Sequence, residues 1–264
     1  MSRIAKRFEM LRDKGERALV VFLSAGDPDL QTTDALILAM AESGADVIEI
    51  GVPFSDPTAD GPTIQRSSER GLAAGASLQR ILHRVARLRD RIEPPIVLMG
   101  YANPFFAMGG EHFAGTAAEV GVDGVIVPDL PPEEGEKFFS QLQARDIDNI
   151  LLAAPTTTRE RMKLLAEKTR GFLYYVSLTG VTSARSGLPE GLREGVAVAQ
   201  EFSQVPVCVG FGISTPDHAR EVGSYADGVV VGSAIVDRIE SASSPDEAVD
   251  AVAKYVAEMK AALR

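Results

Sequence analysis

The sequence predicts an α/β fold, a single (β/α)8 TIM barrel spanning residues 1–264, with an extra N-terminal helix and a short helix after strand 8. Three observations carry this. Eight short, β-branched runs alternate with amphipathic helical segments. The runs are apolar almost throughout instead of alternating, as happens when both faces of a parallel sheet are buried. Finally, 264 residues that are 45% apolar suit one large barrel with a sizeable core.

In chain order, residues 2–15 read as a helix with Ile4, Phe8 and Leu11 on one face. Strand runs follow at 18–25, 46–51, 95–101, 124–128, 149–153, 172–177, 206–210 and 228–232. Helical patterns lie between them at about 31–44, 62–91, 111–120, 132–145, 158–169, 189–203 and 216–222, with a short helix near 234–240 and a last one over about 245–262. The stretches GADVIEIG (44–51), GVDGVIVP (121–128) and YADGVVVG (225–232) repeat one helix-to-strand joint.

Composition narrows the function. The net charge of −10 disfavours nucleic acid and anionic membrane as partners, and the basic run 80–91 reads as a solvated helix face. Cys208 is the only cysteine and sits in an apolar strand run, so it reads as a core residue. Residues 1–17 lack a signal-peptide pattern, and no apolar stretch reaches the ~18 residues of a membrane span. A cytoplasmic protein is expected.

The active site of such a barrel lies at the C-terminal strand ends. No lysine ends a strand, which disfavours a Schiff-base mechanism. His83, His112 and His218 lie on helical patterns without ligand spacing, so no metal site is expected. Carboxylates and tyrosines remain. Glu49 interrupts an apolar strand, where an unpaired carboxylate costs several kcal/mol. It reads either as a salt bridge to a packing helix or as a desolvated general acid/base. Asp60 follows across a loop stiffened by Pro53 and Pro57. It reads either as a cap for the helix starting near Pro62 or as Glu49's partner in catalysis. Asp56 reads first as a turn residue. Glycine loops after strands seven (Gly210-Phe-Gly) and eight (Gly232-Ser), the second opening a short helix, form a phosphate-site pattern. Residues 178–189 are long, small and polar, the composition of a mobile lid or of a plain flexible loop.

These motifs together resemble the tryptophan synthase alpha subunit over essentially the whole chain. The carriers are Phe22-Leu-Ser-Ala-Gly-Asp-Pro, Glu49-Ile-Gly-Val-Pro-Phe-Ser-Asp-Pro-Thr-Ala-Asp-Gly-Pro, Tyr101-Ala-Asn-Pro, Gly180-Val-Thr, Gly210-Phe-Gly-Ile-Ser and Gly232-Ser-Ala-Ile-Val. The resemblance implies a lyase that splits indole-3-glycerol phosphate into indole and glyceraldehyde 3-phosphate without a metal or cofactor of its own. It implies a beta subunit carrying pyridoxal phosphate, which receives the indole in an alpha2beta2 complex. The catalytic residues it implies are Glu49, Asp60 and Tyr174, with Tyr175 competing for the tyrosine role. Phe22 and Phe211 would flank the indole, Thr182 would meet Asp60 on lid closure, and Gly212, Gly232 and Ser233 would hold phosphate. Ser183 stands where the family usually has a phosphate-binding glycine, and Thr58 where leucine is common. A catalytically weak barrel that only regulates the beta subunit is the alternative. The apolar mouth loops, with Phe105 and Met108 expected to be exposed, suggest a partner interface through Pro53, Asp56, Asn103, Phe106 and Pro131.

Overall fold

The computed structural model describes residues 1–177, 188–210 and 212–264. Its elements run α1 (Arg3–Lys14), β1 (Ala18–Ser24), α2 (Leu30–Glu42), β2 (Val47–Gly51), α3 (Pro62–Ala73), α4 (Leu78–Leu88), β3 (Ile96–Met99), α5 (Ala102–Met108), α6 (Gly110–Val120) and β4 (Gly124–Ile126). They continue α7 (Glu136–Gln143), β5 (Asp148–Ala153), α8 (Arg159–Lys168), β6 (Leu173–Val176), α9 (Leu192–Phe202), β7 (Val207–Gly210), α10 (Pro216–Gly223), β8 (Gly228–Val231), α11 (Ser233–Ser241) and α12 (Pro245–Ala261). The strands form a closed barrel in sequence order, all parallel, with β1 pairing β8.

Strand alternation divides the core in two. Side chains pointing outward, such as Leu19, Ile48, Leu98 and Tyr175, pack against the helices. Those pointing inward, such as Val20, Val47, Val97, Ile126, Ile150 and Tyr174, fill the barrel. Helix α1 closes the bottom of that inner core: Ile4, Phe8 and Leu11 are buried in it, as their spacing predicts. Ser2 caps the helix by accepting Ala5 N–H, and Gly15 ends it with φ 72°.

The repeated joints have a mechanical role. Asp46, just before β2, accepts Leu19 N–H of β1 at 2.8 Å. Asp123, before β4, accepts Ile96 N–H of β3, and Asp227, before β8, accepts Val207 N–H of β7, each at 2.8 Å. Each acid thus caps the start of the preceding strand, where the backbone donor lacks a ladder partner. Bonds of this charged kind contribute roughly 1.5–3 kcal/mol each. Lys260 of α12, its side chain 6% exposed, pairs with Asp46 at 3.0 Å and Glu16 at 2.9 Å, and locks the last helix to the barrel floor.

Three features depart from the sequence reading. The helical stretch 62–91 is two helices, because Gly75 turns with φ 78° and Ser77 caps a new start. The basic run is only partly solvated, since Arg89 is 12% exposed and pairs with Asp123. Residues 102–108, read as a loop, are a helix, and Phe105 is fully buried in it. The Asp129 carboxylate accepts Ala102 N–H at 2.9 Å and supplies from the next strand end the cap that the local sequence lacks.

Candidate active site

Glu49 sits midway along β2, in register with Phe22 on β1 and Val97 on β3. It shares the inward face with Val47, so its carboxyl enters the barrel. It is 1% exposed, forms no ion pair among the described residues, and its Oε2 has no hydrogen-bond partner. The salt-bridge alternative therefore fails. Burial, and secondly the negative charge of Asp60, push the carboxyl up to about 8. Two residues higher on the same face stands Gly51, where a Cβ would lie 2.7 Å from the Phe22 ring. Only glycine leaves both the ring and the space above Glu49 in place.

Asp60 is half-buried in the β2–α3 loop. It does not cap α3, because Gly61 occupies that position without a side-chain bond. Instead it accepts a hydrogen bond from the Tyr101 hydroxyl, which pulls its titration down, while burial acts more strongly and brings it up to about 6. The same hydroxyl accepts Ala59 N–H at 2.8 Å, and the Tyr101 ring stacks on Phe54 at 5.4 Å. Ser68 of α3 braces the loop further by accepting Phe54 N–H at 2.9 Å. The loop is thus held by its neighbours as well as by its prolines. At neutral pH the two acids divide: Glu49 is largely protonated and Asp60 largely ionised, a pairing suited to proton donation beside a fixed anion.

Tyr174 and Tyr175 separate cleanly. Tyr174 points into the barrel, and its hydroxyl lies over Gly210, where a Cβ would come within 2.3 Å. Burial first, then Glu49, raise its titration well above the ordinary phenol value, so it stays protonated. Tyr175 points outward, its hydroxyl against Gly195 of α9. The tyrosine near Glu49 is Tyr174. A cavity above this layer is lined by Phe22, Ser24, Asp60, Met99, Tyr101 and Pro128, among others.

Across the mouth, Gly212 takes φ 79°, a conformation that favours glycine. Gly232 precedes α11, whose N-terminus carries no side-chain cap and opens with exposed Ser233. Uncapped N–H groups and the helix dipole favour an anion there. Thr182, Ser183 and Phe211, and the lid reading for most of 178–189, lie outside the described residues. The histidines are spread over α4, α6 and α10, and no metal-sized group of His, Cys, Asp and Glu occurs among the described residues.

The interface expectation needs correction in part. Asp56 and Asn103 are exposed, Phe106 is 49% exposed with its edge against Phe138, and Pro131 is half-buried. Pro53, however, is buried beside Gly71 of α3. Phe105 packs on Phe113 at 4.7 Å and is not exposed, and Met108 is only half-exposed. Tyr101 stands out in the sequence only as the first residue of the Tyr101-Ala-Asn-Pro motif, and Ser68 not at all, yet both brace the Asp60 loop. The tyrosine's position beside the acid loop was the available signal.

Relatives of the chain share its sequence and its fold. The sequence model of the family described as Tryptophan synthase alpha chain matches residues 8–264. The tryptophan synthase alpha chain of Geobacter sulfurreducens is 56% identical over 240 residues, 91% of each chain. That of Pelobacter propionicus is 49% identical over 263 residues, covering 100% of this chain and 98% of the other. Among solved structures, tryptophan synthase subunit alpha from Legionella pneumophila superposes with a TM-score of 0.90 at 38% identity, over 100% and 98% of the chains. A Mycobacterium tuberculosis tryptophan synthase structure gives 0.91 at 36% identity, with the same coverage. A sequence match over residues 8–264 and a barrel shared over the whole chain converge, and the chain belongs to the tryptophan synthase alpha chain family.

Proposed function

We infer that Glu49 and Asp60 carry out the carbon–carbon cleavage of this alpha chain at the barrel mouth, and that residues 1–264 act as one domain. The family's reaction splits indole-3-glycerol phosphate into indole and glyceraldehyde 3-phosphate in tryptophan biosynthesis, and the alpha chain needs no cofactor of its own. It works in an alpha2beta2 complex, where pyridoxal phosphate belongs to the beta subunit.

The chemistry follows from the two protonation states. Protonated Glu49 gives its proton to indole C3, and the ring becomes an electron sink. Asp60, ionised, accepts a hydrogen bond from N1–H and stabilises the positive charge that develops there. Glu49, now a carboxylate, takes the proton of the carbinol hydroxyl next to the ring. The O–H electron pair becomes the aldehyde C=O, the C–C bond breaks, and its electrons restore the aromatic ring. Protons balance, and Glu49 ends as it began. Tyr174 supports the acid end from its place over Gly210, and Phe22 forms one wall for the ring. Gly212, Gly232 and Ser233 take the phosphate, and the family motif assigns the Ser183 backbone N–H to the same phosphate, Thr182 to closure over Asp60 and Phe211 to ring contact. Asp56, Asn103, Phe106 and Pro131 form the beta-facing surface, with Pro53 supporting it from beneath. The protein acts in the cytoplasm, in keeping with a biosynthetic family and with described helices too short or too polar to cross a membrane.

The observation that carries this reading is the buried, inward-facing Glu49 carboxyl, its Oε2 without a hydrogen-bond partner, held up near 8 beside Asp60. Indole release from indole-3-glycerol phosphate tests it, using wild type, Glu49→Gln and Asp60→Asn, each with and without a beta subunit. Indole from wild type and almost none from Glu49→Gln is expected. Indole from Glu49→Gln at the wild-type rate would overturn the assignment, and no indole from wild type with its partner would favour the regulatory barrel.

A further inference from the structure

Two helices begin at the two ends of the site. Helix α3 starts two residues after Asp60, and α11 starts at Ser233. A strip of polar contacts joins them. Thr63 donates to Asp237 at 3.2 Å, Arg66 holds Glu240 with bonds of 2.9 and 2.7 Å, and Arg70 reaches Glu240 at 2.9 Å. Thr63, Arg66 and Arg70 share one face of α3, as Asp237 and Glu240 share one face of α11. Arg70 also grips Asp27, fully buried in the loop after β1, with bonds of 2.7 and 2.9 Å. The strip is therefore anchored to the barrel itself.

We propose that this strip is a ruler: Arg66, Arg70 and Glu240 are positioning residues that fix the separation between the Asp60 end and the Ser233 end, and so select the length of substrate that spans them. The proposal rests on the site reading above. None of the three is part of that proposed site. Arg66 is 48% exposed and Glu240 32%, so their pair contributes little to global stability. Paired guanidinium–carboxylate bonds nevertheless fix direction as well as distance. Misplacing one end of a bound substrate by about 1 Å can cost 10²-fold in rate, so a weakly stabilising clamp is enough to matter for turnover. Glu240 is held far down, to about 2, chiefly by Arg66, so its pairs with Arg66 and Arg70 stay charged at any working pH.

The test uses the full chain with Glu240→Ala, which frees Arg66 and leaves Arg70 held by Asp27 alone, and Glu240→Gln, which keeps one acceptor oxygen. Three ligands are compared: indole-3-glycerol phosphate, glycerol 3-phosphate for the phosphate end alone, and indole for the ring end alone. In Glu240→Ala, affinity for each one-ended ligand should stay within about twofold, while kcat/KM for the whole substrate falls at least about tenfold. Glu240→Gln should recover most of that loss. Unchanged kcat/KM in Glu240→Ala would overturn the ruler, and so would a parallel loss of all three affinities with a lowered Tm, which marks a merely structural role. If wild type does not bind glycerol 3-phosphate competitively with substrate, the site reading fails, and the ruler with it.

Discussion

Replacing Glu49 by Gln should destroy the chemistry and strengthen the fold. A carboxyl that titrates at 4.5 in the unfolded chain and about 8 in the barrel binds its proton more tightly when folded. Stability from this group is therefore complete below the unfolded value and is lost as pH rises through the folded one. The loss amounts to about 1 kcal/mol at pH 5, about 3 kcal/mol at pH 7 and about 5 kcal/mol at pH 9. Gln has nearly the same shape and cannot ionise, so it escapes the loss. Urea unfolding of wild type and Glu49→Gln at the three pH values should show a gap that widens by these amounts. At pH 7 the Tm of the variant should be higher by roughly 6–12 °C for a chain of this size. A gap that is absent at pH 7, or the same at pH 5 and pH 9, would refute the claim that burial is what holds the Glu49 proton.

Three other outcomes follow from the same contacts. The profile of kcat/KM against pH should be a bell, with an acid limb near 6 from Asp60, which must be ionised, and a basic limb near 8 from Glu49, which must be protonated; steady-state rates from pH 5 to 9 check it. Tyr101→Phe removes the hydroxyl bond to Asp60, so the Asp60 titration rises and the acid limb moves to higher pH while the basic limb stays; the same pH series on the variant tests this. Lys260→Met leaves Asp46 buried without its counter-charge and should destabilise the chain by about 3–5 kcal/mol, measured by urea unfolding, with kcat unchanged where the chain is folded.

The barrel was legible because a parallel sheet buried on both faces writes itself as uninterrupted apolar runs, and Glu49 stood out against one of them. The facing of Tyr174 and Tyr175 was not written that way: both are buried, and only the β6 register turns one to Gly210 and the other to Gly195. Helix α5 was hidden for a similar reason. Asn-Pro reads locally as a turn, while the cap that starts the helix is the Asp129 carboxylate, 27 residues later in the chain. The break at Gly75-Ala-Ser77 was written in the sequence as a helix stop followed by a cap, and the amphipathic pattern running on either side masked it. Asp60 carried a local signal, a position before Pro62, that pointed to capping. What overrode it was Tyr101, 41 residues away in sequence.

The division of labour between the acids is the centre of this account, and the Glu49 carboxyl can be watched directly. The 13C resonance of a labelled Glu49 side chain, assigned with Glu49→Gln and followed from pH 5 to 10, should titrate with a midpoint near 8, and the midpoint should fall in Asp60→Asn because a repelling charge is gone. A carboxyl already ionised at pH 6 in the wild type would contradict the account, since Glu49 would then hold no proton to give to the indole ring.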